Sequence, residues 1–294
     1  MTPARILIIA GSDSGGGAGI QADLKTVTLL GGFGMTAITA ITAQNTLGVQ
    51  GVHPIPTDMV LAQMESCIGD IGVDAVKIGM IGSAQTAAAV AERLASLDDI
   101  PIVFDPVMVA TSGSMLADDA TITAFEKLMQ VATVITPNLP ELQALTGRTI
   151  IDLDGLEDAA QALRARTGSI ILAKGGHLPQ QPQDDQPTIH DLLVDEDMVA
   201  DFSIRRIDTR HSHGTGCTLA SAVAAGLGHG LSLGDAVDRA EAFVACALAA
   251  APGLGGGHGP MGHAMGLTPF YHLCAAKDDD GWDAAAFAAR YGDA

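Results

Sequence analysis

The segment Gly214-Thr215-Gly216-Cys217 stands at the head of an alanine-rich run with helical spacing. The first N–H groups of a helix have no intrahelical partner, and the helix dipole adds partial positive charge at that end. Glycines let the backbone curl so that several of these N–H groups converge on one anion. Such a cradle suits the charge that develops on a transferring phosphoryl group. Cys217 falls in the first turn and reads in two ways. Helix N-termini stabilise thiolates, so the position predicts a lowered pKa and a base able to take a proton from an alcohol. It equally fits a small side chain buried under the turn. Lys174 closes the apolar run Ile170–Ala173 and precedes Gly175-Gly176, which favours a cation at a strand end over a snorkelling surface lysine.

A second glycine cluster, GSDSGGGAG (Gly11–Gly19), separates an apolar run from a helical one, where phosphate loops occur. Gly17-Ala-Gly19-Ile-Gln-Ala22 even matches a loose dinucleotide fingerprint. That fingerprint also needs an acidic residue about 20 positions further on, for the ribose hydroxyls. No Asp or Glu occurs between Asp23 and Asp58, which counts against a dinucleotide site. No glycine precedes a lysine, so a Walker A loop is absent, and H-E-x-x-H does not occur. Asp278, Asp280 and Gly281 have the spacing of a calcium loop, but Phe287 stands where its closing glutamate belongs.

HGTGCTLASAVAAG, with KGGH (Lys174–His177) and TPNLPE (Thr136–Glu141) upstream, resembles the hydroxymethylpyrimidine/phosphomethylpyrimidine kinases of the ribokinase-like superfamily. AGSDSGGGAGIQADLKT, AITAQNT, VKIGM, DPVMVA and the closing GHGPMGH extend the likeness in consistent order from about Ile6 to His263. The resemblance implies ATP-dependent phosphorylation of a hydroxymethylpyrimidine, then of its monophosphate, in thiamine biosynthesis, with Mg2+ as the metal and a homodimer as the assembly. It implies an aminopyrimidine pocket at Gly11, Asp23, Gln44, Met80 and Val107. An amide and a carboxylate can pair the ring's amine and acceptors, and Met80 and Val107 offer apolar contact. Taken alone, Asp23 reads as a solvated acid early in a helix and Gln44 as a turn amide. The resemblance further implies Asp105 and Glu141 as magnesium ligands, direct or through water, Asn138 and Lys174 as ATP contacts, and Gly214, Thr215, Gly216 and Cys217 as the catalytic cradle with Cys217 as base. Two positions depart from the family's pattern. Thr111 stands where a lysine often follows DPVMVA, and His211-Ser212 where Asn-Thr often stands. A pyridoxal kinase is the alternative within the same fold, and a pyrimidine-binding sensor without catalysis is the alternative outside it.

Positioning such groups requires strands that deliver them to one rim. Short apolar runs alternate with helical patterns: strand Arg5–Ala10, helix Ala18–Leu30, strand Gly34–Thr42, helix Asp58–Ile71, strand Ala75–Ile78 and helix Ala84–Leu97. Strand Ile102–Phe104, helix Ala117–Met129, strand Thr133–Thr136, helical pieces after Pro140 and Asp154, and strand Ile170–Ala173 continue the rhythm. That alternation predicts an α/β fold with a largely parallel sheet covered on both faces. After a Pro/Gln/Asp loop (Pro179–Pro187), strands Ile189–Val194 and Val199–Ile204 predict a small antiparallel edge. Helices Thr215–Gly228 and Leu233–Ala250 follow. With the resemblance, the expectation is a three-layer ribokinase-like fold over residues 1–267 and a C-terminal extension over 268–294.

The 294 residues carry 15 Lys+Arg against 34 Asp+Glu, a formal charge of −19. That balance argues against nucleic acid as a partner, because phosphate backbones need a basic footprint. Cys67, Cys217, Cys246 and Cys274 have no C-x-x-C spacing, so neither a disulfide framework nor a thiolate metal site is expected. No apolar run approaches the ~20 residues that span a bilayer. The expectation is a cytoplasmic enzyme acting on a small molecule.

Overall fold

The structure, a computed structural model, describes residues 2–110, 113, 115–179 and 187–263. Thr111, most of the loop expected over Pro179–Pro187, Cys274 and the extension expected over 268–294 lie outside the described residues. The chain runs β1 (Arg5–Asp13), α1 (Gly19–Leu29), β2 (Phe33–Asn45), β3 (Gly48–Pro54) and α2 (Thr57–Asp70). It continues through β4 (Ala75–Ile78), α3 (Ala84–Leu94), β5 (Ile102–Phe104), α4 (Asp119–Val131), β6 (Val134–Ile135) and α5 (Leu139–Thr146). Then follow α6 (Leu153–Thr167), β7 (Ile170–Ala173), β8 (Thr188–Val194), β9 (Val199–Arg205), α7 (Thr215–Gly228) and α8 (Leu233–Ala249).

The strands form one sheet in the order β3-β2-β1-β4-β5-β6-β7-β8-β9. From β2 through β7 every pairing is parallel, as expected for βαβ units. Alternation along β1 assigns the two cores. Leu7 and Ile9 pack with residues of α2, α3, α4, α5 and α6, including Val60, Val90, Phe125, Leu142 and Leu163. Ile6 and Ile8 face the other way, onto Val27 of α1, Val223 of α7 and Val237 of α8. The result is the three-layer α/β architecture, with apolar side chains on both sheet faces. No helix among the described residues is long and apolar enough to cross a membrane.

The sheet has the small antiparallel edge expected from the sequence and a second one at its opposite side. β8 and β9 form the one the sequence predicts. At the opposite side β3 pairs antiparallel with β2, and the sequence gives no sign of it. None of the seven residues of β3 is buried, so GVQGVHP carries no apolar alternation to read. Its pairing also holds β2 extended to Asn45, beyond the expected Thr42.

Helix starts differ in a way that bears on chemistry. Side chains cap α3, α4, α5, α6 and α8 (Ser83, Asp118, Asn138, Asp152 and Ser232 respectively). At α5 the cap is reciprocal, because Glu141 also reaches back to the Asn138 N–H. α7 begins instead on Gly214 in the left-handed region (φ 85°), with no side-chain cap. Its first amides therefore have no side-chain cap competing with an anion.

Candidate active site

Parallel α/β sheets bind ligands beyond the carboxyl ends of their strands, next to the point where the strand order reverses. Here that point is β1, flanked by β2 on one side and β4 on the other. A cavity of about 700 Å³ lies along this rim. Each strand from β1 to β7 that ends there delivers residues just past its C-terminus, and α7 closes the rim with its N-terminus.

At one end Gly11, Gln44, Met80 and Val107 line the cavity together, although they come from β1, β2 and the loops after β4 and β5. Gln44 is oriented at both ends. Its Oε1 accepts from the Thr42 hydroxyl at 3.2 Å, and its Nε2 lies 3.2 Å from His213 Nε2. His213 Nε2 lies 3.0 Å from Asp13 Oδ2. Asp13 accepts N–H donors from Gly15, Gly17 and Ala18 at 2.8–3.0 Å. Burial would raise the Asp13 carboxyl, but the His213 contact and these amides outweigh it and hold it below the ordinary carboxylate value. The glycine loop thus turns its amides inward on Asp13, which agrees with the absence of a dinucleotide signature. Asp13 and His213 were not singled out in the sequence. Their only signal was position, one inside the Gly-rich loop and the other directly before Gly214.

Asp23 does not join that group, and its expected place in the pocket wall is corrected. Its side chain is 0% exposed and sits behind Lys77, whose Nζ lies 3.0 and 3.1 Å from the two carboxylate oxygens. The Ser221 hydroxyl donates to it at 2.8 Å. The clamp ties α1 to β4 and α7, and Lys77 rather than Asp23 borders the cavity. Burial alone would lower the Lys77 pKa. The charge of Asp23, joined by Cys217 once its thiol ionises and by Asp105, reverses that and raises it, so the ammonium stays protonated. A lysine inside the apolar run Ala75–Ile78 was the signal available in the sequence.

In the centre Lys174 donates to Asp105 Oδ1 at 2.9 Å, and the Thr136 hydroxyl reaches the same oxygen at 3.2 Å. Gly216 of α7 packs against this pair: a Cβ there would lie 3.1 Å from Lys174 Nζ and 3.5 Å from Asp105 Oδ2. Gly214 is required by both its φ of 85° and its contact, since a Cβ would collide with the carbonyl oxygen of Gly17. The helical ladder starts with Thr218 N–H on the Gly214 carbonyl at 2.9 Å, so the amides of Gly216 and Cys217 precede it. The Thr215 hydroxyl turns away, donating to the Ser212 carbonyl at 2.6 Å.

Burial pushes Glu141 up to about 7; Lys174 opposes the rise and the neighbouring Asp105 charge adds to it. Two hard carboxylates whose mutual repulsion favours a proton are a donor set that suits a divalent cation such as magnesium. Asn138 lines the same cavity, with its Oδ1 taken by the Glu141 N–H at 2.9 Å.

Cys217 also lines the cavity, but the expected lowered pKa is corrected. Burial pushes the thiol up to about 12. Lys77 opposes this, while Asp23 and Asp105 reinforce it. The helix N-terminus does not overcome desolvation plus two carboxylates.

The chain is similar to known proteins over most of its length. The profile of the family described as phosphomethylpyrimidine kinase matches residues 13–262. A hydroxymethylpyrimidine/phosphomethylpyrimidine kinase of Streptomyces coelicolor is 48% identical over 268 residues, covering 91% of this chain and 97% of that protein. A bifunctional thiamine biosynthesis protein of Geobacter sulfurreducens is 44% identical over 261 residues; the match covers 88% of this chain and 52% of that longer protein. Among solved structures, a pyridoxal kinase from Staphylococcus aureus in complex with pyridoxal superposes with a TM-score of 0.81 at 33% identity, covering 90% of this chain and 94% of that one.

Proposed function

The chain belongs to the phosphomethylpyrimidine kinase family, and from that premise we propose that it moves the γ-phosphate of ATP first onto 4-amino-5-hydroxymethyl-2-methylpyrimidine and then onto the resulting monophosphate, in thiamine biosynthesis. The observation that carries this reading is the convergence in one cavity of the Gln44 end, the Lys174–Asp105 pair and the uncapped start of α7.

In this reading Gly11, Gln44, Met80 and Val107 seat the aminopyrimidine, with the Thr42 hydroxyl donating to the Gln44 amide oxygen and His213 beside its nitrogen. Lys174 meets the phosphates and Asn138 borders them. Asp105 and Glu141 hold magnesium, which neutralises phosphate charge when bound. The amides of Gly216 and Cys217 face the transferring phosphoryl group. The acceptor hydroxyl attacks phosphorus and its O–P bond forms. The bond from phosphorus to the bridging oxygen breaks, and ADP leaves. The hydroxyl proton passes to the Cys217 sulfur, which must have lost its own proton beforehand. For the second step the acceptor's phosphate replaces its hydroxyl as nucleophile, and backbone amides with Lys174 offset its charge.

A second reading is favoured by one observation: the fold superposes on that of a pyridoxal kinase over nine-tenths of the chain. Incubation with Mg-ATP and hydroxymethylpyrimidine, with pyridoxal in parallel, separates the two when products are followed by mass. Mono- and diphosphate from the pyrimidine are expected. Monophosphate alone removes the second step, phosphate on pyridoxal alone moves the protein to the second reading, and no transfer to either leaves a binding protein. The homodimer belongs to the same reading. It is supported by the exposed apolar residues Ile41, Leu47 and Val52 on the β2–β3 hairpin, which suit a second copy of the chain.

A further inference from the structure

Beneath the cradle, α1 and α7 face each other across two rungs. On α7, Cys217 and Ser221 are four residues apart and share a face; on α1, Gly19 and Asp23 do the same. The Ser221 hydroxyl donates to Asp23 Oδ1 at 2.8 Å, which makes the lower rung. The Gly19 N–H is directed at the Cys217 sulfur, which makes the upper one. Gly19 opens α1, where Ala18 supplies no side-chain cap to compete for that amide. One helical turn, about 5.4 Å, separates the rungs.

Lys77 enters from β4 at the lower rung. Its side chain is 0% exposed, and Nζ binds the two Asp23 oxygens at 3.0 and 3.1 Å. The ammonium reaches upward from its own strand position: a Cβ on Gly79, two residues further on, would lie 2.7 Å from Nζ. An ammonium has three N–H donors. Among the described residues only Asp23 accepts from it, with two oxygens, so one donor is left over. Lys77 and Cys217 border the same cavity. Charges about a turn apart interact strongly where water is excluded. Stability alone does not call for such a pair, since apolar side chains of similar volume often hold a fold as well. What an apolar pair could not supply is the positive charge below the sulfur.

We propose that Lys77 is a positioning residue for phosphoryl transfer: its ammonium and the Gly19 amide form an anion hole for the Cys217 sulfur, holding negative charge there until the acceptor's proton arrives. The inference rests on the kinase reading above. Asp23 fixes the ammonium in place and at the same time opposes charge on the sulfur. The charged groups that act on the sulfur are Lys77 from β4, Asp23 from α1 and Asp105 after β5, the last paired with Lys174 at 2.9 Å. Burial sets the thiol high, Lys77 pulls it down, and Asp23 and then Asp105 push it up. The pull of Lys77 exceeds the push of Asp23, so removing both leaves the sulfur harder to ionise.

The test is the rate at which iodoacetamide alkylates Cys217 in the full chain, with a chelator and without nucleotide. It is read by mass on the peptide that carries Cys217, so the other cysteines do not count. Asp23→Leu combined with Lys77→Met replaces the ion pair by apolar side chains and is the variant that retains the fold. It is expected to slow alkylation roughly tenfold at about pH 9, the equivalent of one unit of thiol pKa. The alkaline climb of its kcat moves up by about one pH unit, with the KM for ATP unchanged. Asp23→Asn removes the opposing charge and leaves the ammonium, and is expected to speed alkylation. Both variants disturb the same packing, so a merely structural role would move the two rates in one direction. An unchanged rate in the double variant, or effects of the same sign in both, overturn the proposal. Alkylation that depends on Lys77 in this way, without phosphoryl transfer to either acceptor, would remove the kinase reading and keep the anion hole.

Discussion

Cys217 sits where two influences of opposite sign meet. The start of α7 and Lys77 favour a thiolate, while burial, Asp23 and Asp105 oppose one. Burial wins, so at neutral pH the sulfur holds its proton, and the thiolate fraction grows about tenfold per pH unit below the pKa. If Cys217 takes the acceptor proton, kcat of the wild type climbs through the alkaline range without a plateau. Cys217→Ala is then expected to lower kcat by about 10²–10⁴-fold, the usual worth of a general base, and to flatten that climb. An alanine variant with wild-type kcat and profile would leave the cysteine only a packing role. The readout is kcat at saturating ATP and acceptor.

At the scale of elements, the Asp23–Lys77–Ser221 clamp joins α1, β4 and α7 under the cradle. Lys77→Met leaves the Asp23 carboxyl buried with the Ser221 hydroxyl as its remaining clamp partner, at an expected cost of about 3–5 kcal/mol. Asp23→Leu combined with Lys77→Met removes both charges and is expected to regain most of that stability in a denaturant titration. A single variant as stable as the wild type would show that the pair does not clamp these elements. The clamp also shows where reading the sequence stops. Runs such as Ala75–Ile78 and Ile170–Ala173 are visible as strands because burial on both faces demands continuous apolar side chains. β3 is invisible because its residues are outside the core and only backbone pairing holds it. Gly11, Gln44, Met80 and Val107 could be assembled from resemblance, since each follows a recognisable strand. Asp23 went to the wrong wall because helical spacing gives a face but not its neighbour. That neighbour, Lys77, depends on β4 lying beside β1, a non-local fact. Glu241 looks like an ordinary helix acid until β8 brings Asp191 against it.

For the whole molecule, buried carboxyls make stability depend on pH in a direction opposite to that of paired surface acids. Glu241 titrates near 9 in the folded chain, pushed there by burial and by Asp191, and Glu141 near 7, pushed by burial and by Asp105. In the unfolded chain both titrate near the ordinary glutamate value of about 4.3. Between those limits the folded state binds more protons, so each group stabilises fully below the unfolded value and loses that contribution as pH rises toward the folded one. The slope is about 1.4 kcal/mol per pH unit for each group inside its window. Other shifted groups fall elsewhere. Asp13, held low by His213 and backbone amides against the pull of burial, matters only in acid. His263, lowered by burial to about 4, and His177, lowered for the same leading reason, act below the ordinary histidine range. Burial alone would lower Lys77 and Lys174, but neighbouring carboxylates raise both, so their contributions fade only above the ordinary lysine value. Asp23, raised by burial, and Cys217, raised by burial, add to the same trend, so the Asp191–Glu241 pair is read as the difference between wild type and Glu241→Gln. The Tm of the wild type is expected to fall as pH rises from 5 to 9, and that of Glu241→Gln to fall less, both between pH 5 and 7 and between 7 and 9. A wild-type Tm that is flat from 7 to 9, with Glu241→Gln matching it, would mean that the pair holds no proton in that range.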